Sequence, residues 1–260
     1  MLSEAADDFH AGNRITITRL LTCPREIAIC DNVPVPHVDL RKRDSLRKGT
    51  VIHADLERHT VDGYGEVEFP RPGKPAPLLL GAPISGRIDW VAADFGEIHD
   101  YKSHAETSRK MKTRILTAPE NDSAQLNIAR ILIARDMLDV DPPTYRPKLI
   151  AWHTAQVKGG AVPWLPVEQP YMSEEDIGDY KPSGGEYSVR EMLAMYQQFH
   201  RSIADGMEMR DAIKQIPLAG RKMFRKKKCQ LYCVAQPFCD GLEGIGAEED
   251  DGMFAFLEEM

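Results

Sequence analysis

The sequence predicts a mixed α/β domain carrying a helical, cysteine-bearing cap. Three observations predict it. Strand-like alternation and helix-period segments interleave through the middle of the chain. A long amphipathic helix then leads into "CQLYCVAQPFC" at 229–239, where three cysteines crowd together. The 260 residues, 42% hydrophobic and 28% charged, suffice for one elaborated domain, or for a core with an appendage.

The elements follow in order. "ITITRLLTCPREIAIC" has a helix-like period, and "SLRKGTVIHADLERHTVDG" is expected as a second helix ended by Gly63. "FPRPGKPAPLLL" is a Pro-rich linker. "APISGRIDWVAAD" and "GEIHDYKSH" alternate as strands, and "RPKLIAWHTAQ" is a third. Between them "ENDSAQLNIARILIARDML" is a helix with an apolar stripe. Residues 156–187 are rich in Gly and Pro and are expected as loops. "SVREMLAMYQQFHRSIADGM" is a helix opened by a capping box of Ser188 and Glu191, with Met192, Tyr196, Phe199 and Ile203 as its core stripe.

Composition narrows the function. No apolar run of ~18 residues exists, so no membrane span is expected. The acidic N-terminus lacks an apolar stretch, and five cysteines in such a chain fit a reducing cytoplasm. The net charge of −7 is concentrated in the tail after Leu242, whose seven acidic residues leave the rest formally neutral. Within that neutral body, "RKRDSLRKG" (41–49) and "RKMFRKKK" (221–228) are local basic patches of the kind that track phosphates. No G-x-x-x-x-G-K-[ST] motif occurs, so the chain carries no phosphate-binding loop of an ATP motor.

The chemistry lies in the middle. Asp100 and Lys102 alternate around Tyr101 and so share one face of a strand. Asp89 belongs to the preceding strand, and a hairpin around "AADFGE" brings it toward Asp100. Two carboxylates on adjacent strands suit a hard divalent cation, Mg²⁺ or Mn²⁺. A lysine on the same face can orient an attacking water and offset charge on a phosphate. These parts fit metal-assisted phosphodiester hydrolysis. Taken alone, a D-x-K triplet is common surface decoration. Here its carboxylates sit among Ile88, Trp90 and Ile98, where unpaired charge is costly.

"GTVIHADLE", "GRIDWV", "IHDYKS" and "AQLNIA", in that order, resemble the RecB-like branch of the PD-(D/E)XK nucleases. The cysteine layout resembles its iron–sulfur members, which include CRISPR-associated RecB-type exonucleases, phage relatives and the nuclease domain of AddB. The resemblance spans about Thr18 to Cys239. It implies a restriction-endonuclease-like core, a mixed central sheet flanked by helices, with a helical four-cysteine cluster cap. It implies that His53, Asp89 and Asp100 hold the metal, with Tyr101 adding its carbonyl, and that Lys102 is the catalytic lysine. Gln125 matches the downstream helix glutamine of the family, although Ala129 stands where a Tyr is usual. The other histidines fit no motif; His99 and His104 flank the site.

The resemblance also places a first cluster cysteine, Cys23, with Cys229, Cys233 and Cys239. Cys30 is its rival. Three residues separate Cys229 from Cys233 where the family often has two. Four thiolates suit a [4Fe–4S] cluster or tetrahedral zinc on local chemistry, and the resemblance implies the cluster. Such a centre would close a loop of roughly two hundred residues and turn binding energy into folding energy.

The expected organisation is an N-terminal helical part with the first cluster cysteine (1–64), a nuclease core (65–187), a C-terminal helix and cysteine segment (188–242) and an acidic tail (243–260). The expected activity is a metal-dependent DNA exonuclease on single strands or free ends. The alternative is a non-catalytic DNA-end-binding or adaptor subunit alongside recombination or CRISPR-adaptation proteins. A third reading is a zinc-stabilised binding domain.

Overall fold

The computed structural model describes residues 15–17, 19–21, 23–32, 62–104, 120–155, 164–182, 186–217, 235 and 239. The chain is mixed α/β, with a seven-stranded sheet of parallel and antiparallel pairs and helices against it. It divides into two compact units, each built from two stretches of chain. The first is drawn from Met1–Leu21 and Arg43–Tyr180, the second from Thr22–Lys42 and Lys181–Met260.

The first unit is organised on β4 (Ala82–Ala92), the longest strand. β1 (Ile15–Thr16) pairs with its first half in parallel, and β3 (Leu78–Leu79) pairs there antiparallel. β2 (Gly63–Phe69) runs antiparallel along its second half. β5 (Glu97–His104) follows β4 through a tight antiparallel connection, as expected for the hairpin. β6 (Lys148–Ala155) lies parallel to β5, and β7 (Leu165–Glu168) closes that edge antiparallel to β6.

Parallel neighbours need a crossover, and α2 (Glu120–Ile133) supplies it between β5 and β6. Leu126, Ile128, Ile131, Leu132 and Ile133 of this helix are fully buried. Each such side chain contributes about 1.5–3 kcal/mol. The helix therefore anchors the unit by packing on β5 and β6.

Several sequence expectations change. Within "ITITRLL", Ile15 and Thr16 pair with β4 and Arg19–Leu21 form one 3-10 turn, while the α-helix α1 starts only at Pro24 (Pro24–Asn32). Proline favours that first turn, and β-branched residues favour the strand before it. Gly63 opens β2. The Pro-rich stretch harbours β3, and residues 156–187 contribute β7 and α3 (Glu174–Asp179). Pro166 is tolerated because β7 is an edge strand. α3 begins with a capping box of Ser173 and Asp176.

The second unit packs α1, α4 (Val189–Ala204) and α5 (Met209–Gln215) together. The Ser188–Glu191 capping box is formed, and Met192, Tyr196 and Phe199 are buried as expected. Arg25 Nε donates to Ile216 O at 2.8 Å, and Tyr196 Oη donates to Pro24 O at 3.2 Å. No described helix is long and apolar enough to cross a membrane.

Candidate functional site

β5 continues past the point where its ladder with β4 stops. The paired residues are Val91 with Ile98 and Trp90 with His99. The next step in that register sets Asp89 against Asp100. There the Asp89 carboxylate replaces the backbone partner: Tyr101 N–H donates to Asp89 Oδ2 at 2.7 Å. On the other edge of β4, the step facing Asp89 is missing from the β2 ladder, and Glu66 there has φ +46°. Left-handed backbone in a non-glycine residue costs on the order of 1–3 kcal/mol. The regular ladder of β4 is thus interrupted on both sides at Asp89.

Asp100 and Lys102 share the face that looks toward α2, as the alternation requires. Lys102 Nζ lies 2.7 Å from Asp100 Oδ2. Gln125, one turn into α2, joins both: its Nε2 donates to Asp100 Oδ1 at 3.0 Å, and its Oε1 accepts from Lys102 Nζ at 2.8 Å. Gln125 thus lies beside Asp100 and Lys102, with Ala129 buried one turn further along the helix. The Lys102 side chain is 26% exposed against 8% for Asp100, so the site opens on the lysine side.

Burial dominates the electrostatics. Desolvation raises the Asp100 pKa from 3.8 to about 6, against the pull of Lys102, and nearby Asp89 and Asp122 add to the rise. For Lys102 desolvation is the largest influence and acts downward, but Asp100, Asp122 and Asp89 together outweigh it and raise the pKa. Lys102 is therefore cationic at neutral pH. Asp100 Oδ2 is buried, and Lys102 Nζ, 2.7 Å away, is its charged neighbour. Two carboxylates brought near one another at a buried position are a donor set suited to a hard cation.

Two neighbours went unnoticed in the sequence. Asp122 stands one turn before Gln125 on α2, on the same stripe. His153 is the β6 partner of Lys102 in the strand register, and its Nε2 is 3.6 Å from Asp122 Oδ2. Spacing within "DSAQ" was a usable signal for Asp122. His153 is recognisable only once β5 and β6 are known to be parallel. His99 points to the opposite sheet face: it stacks on Trp90 at 4.3 Å and contacts Glu97 at 3.1 Å. Tyr101 shares that face, edge-on to Trp164 at 5.7 Å. Among the described residues no three His, Cys, Asp or Glu side chains are grouped to hold a metal ion. His53 lies outside the described residues, as does the side chain of His104.

No family model and no curated protein matches the chain. A solved structure described as "Crystal structure of SSO0001" is similar at probability 1.00, with TM-score 0.44 and 16% identity, over 92% of this chain and 93% of that one. A likeness at that level carries no functional argument.

Cys23 and Cys239 belong to the second unit. Cys23 is buried immediately before α1, and Ile27 N–H donates to its carbonyl at 3.3 Å. Cys239 is half-buried, with its N–H donating to Ala235 O at 3.0 Å. It packs on a core that includes Ala28 and Ile29 of α1, Phe199 of α4 and Ile213 of α5. The last cysteine thus docks on the helix that Cys23 introduces. Cys229, Cys233 and both basic patches, 41–49 and 221–228, lie outside the described residues, as does the side chain of Cys30.

Proposed function

We propose that this chain is a metal-dependent DNA nuclease of the PD-(D/E)XK type, RecB-like branch, acting on single strands or free ends. The observation that carries the reading is the closed triangle of Asp100, Lys102 and Gln125 with Asp89 on the adjoining strand. A purely structural ion pair has no need of a second carboxylate at the ladder break or of a glutamine bridging both partners.

Asp89 and Asp100 would hold Mg²⁺ or Mn²⁺, with His53 as a further ligand. The bound cation would supply Lewis-acid charge to the scissile phosphate. The protein residues do the rest. Lys102, held cationic, donates hydrogen bonds and offsets negative charge; its raised pKa suits that role better than proton abstraction. Gln125 fixes Lys102 and Asp100 relative to one another. Asp89 locks the Tyr101 backbone, so the strand that carries Asp100 and Lys102 cannot slide against β4.

Cys23, Cys229, Cys233 and Cys239 are read as ligands of a [4Fe–4S] cluster, with zinc the alternative. Their thiolate chemistry fits either centre. The packing of Cys239 against α1 supports a clasp between the cysteine segment and the helix after Cys23. No step of hydrolysis passes through it.

The test is cleavage of an end-labelled single strand with Mg²⁺ or Mn²⁺ by the wild type, Asp89→Asn and Asp100→Asn. The wild type should cleave only with the cation, and each variant should lose ~10²-fold or more. Equal rates in all three proteins would reject the assignment.

A further inference from the structure

We propose that the first unit carries a second, separate site: a phosphate-class oxyanion pocket between the C-terminal half of α2 and the loop leading to β6. The inference stands apart from the nuclease reading. A cavity of about 230 Å³ is lined there by Arg130, Arg135, Arg146, Asp141 and Tyr171, among others. Pockets for drug-sized ligands run from about 300 to 1,000 Å³, so this one suits a small group.

The charges in it are not balanced. Arg135 is committed to Glu174 through two contacts, at 2.7 and 3.0 Å. Arg130 is only 3% exposed, yet among the described residues it has no carboxylate partner. Its guanidinium donates to the carbonyls of Pro142, Tyr145 and Met172, and at 3.4 Å to Asn127 Oδ1. These bonds use four of the five N–H donors and hold the group rigid without neutralising it, so Arg130 offers a ligand its charge and one remaining N–H. Its charged neighbour is another cation, Arg146. Both guanidiniums lie about the Tyr171 ring, at 5.6 and 4.8 Å from its centroid.

Buried charge is expensive unless it is paired. Two guanidiniums around one ring, at a cavity too small for a large ligand, form a receptor for a tetrahedral oxyanion. Arg130 would be the fixed half and exposed Arg146 the closing half. Asp141 at the cavity opposes an anion, which makes it useful in a test. The shared chemistry is a phosphate group, carried by a nucleic-acid backbone or by the free ion.

The experiment is a titration of the whole chain with inorganic phosphate, followed by backbone amide NMR shifts across 144–146 and 171–173. Ionic strength is held constant with chloride. The expected result is saturable shifts of these amides with phosphate and none with chloride alone. Arg146→Gln should weaken binding about tenfold or more. Asp141→Asn should tighten it. Arg146 and Asp141 are exposed, so neither variant threatens folding as removal of Arg130 would. A short single-stranded oligonucleotide forms the second arm. If it shifts the same amides and displaces phosphate, the site takes backbone phosphodiester; if only inorganic phosphate binds, the site serves the free ion. Shifts that merely follow ionic strength, or an unchanged affinity in Arg146→Gln, would overturn the proposal. The same titration on Asp100→Asn should be unaltered, which separates this site from the carboxylate centre.

Discussion

Replacing Asp100 by Asn should make the metal-free protein more stable while removing its activity. The substitution keeps shape and deletes charge. Burial lifts the Asp100 pKa from 3.8 to about 6 even with Lys102 alongside. One unit corresponds to about 1.4 kcal/mol, so ionised Asp100 costs the fold on the order of 3 kcal/mol above pH 6. The folded protein binds this proton more tightly than the unfolded chain does. Stability therefore falls as pH rises from about 4 to about 6, and the loss is complete above that range. An Asn, standing in for the protonated acid, escapes it. All three tryptophans, Trp90, Trp152 and Trp164, lie in the first unit, so urea unfolding followed by tryptophan fluorescence reports on that unit. In metal-free buffer at pH 7.5, Asp100→Asn should gain up to ~3 kcal/mol, and near pH 4 the two proteins should coincide. Adding Mn²⁺ should then stabilise the wild type and leave the variant unchanged. A variant less stable than wild type at pH 7.5 by ~1 kcal/mol or more would refute the reasoning. It would mean that the ion pair outweighs the desolvation, and that Asp100 is there to hold the sheet together.

Three further outcomes are expected. A double-mutant cycle of Asp122→Asn and His153→Gln, read on cleavage rate, should show a coupling of roughly 0.5–3 kcal/mol; additivity would dissociate the pair from the site. Gly63→Ala should destabilise by about 1–3 kcal/mol and alter tryptophan fluorescence, because its methyl would fall 2.2 Å from Trp90 Cε2. In anaerobically purified protein, Cys23→Ser should lose the visible absorbance and iron of a cluster, and Cys30→Ser should keep both. The reverse pattern would exchange their roles.

The strand residues of the site were legible because alternation is a strong local rule. Asp100 and Lys102 had to share a face once "EIHDYKS" was a strand, and the short "AADFGE" turn brought Asp89 alongside. Gln125 was placed by motif order, and its helix was plain from the buried run "LNIARILI". What escaped depends on distant partners. The parallel pairing of β5 with β6, which sets His153 beside Lys102, has no local signal. β1 and β3 are two residues each, too short for a period to register, and exist because β4 offers its edges. The left-handed Glu66, where the β2–β4 ladder skips a step opposite Asp89, carries no sequence mark at all, since it is neither Gly nor Asn. In "ITITRLLTCPRE" a helix-like period prevailed over β-branched composition, and the proline that starts the helix was the better guide.

The most direct test of the centre keeps the carboxylates and removes only the lysine. Lys102→Met should still bind Mn²⁺, because both carboxylates remain, while cleavage of labelled single-stranded DNA falls ~10²-fold or more. Full cleavage by Lys102→Met with Mn²⁺ bound would contradict the account.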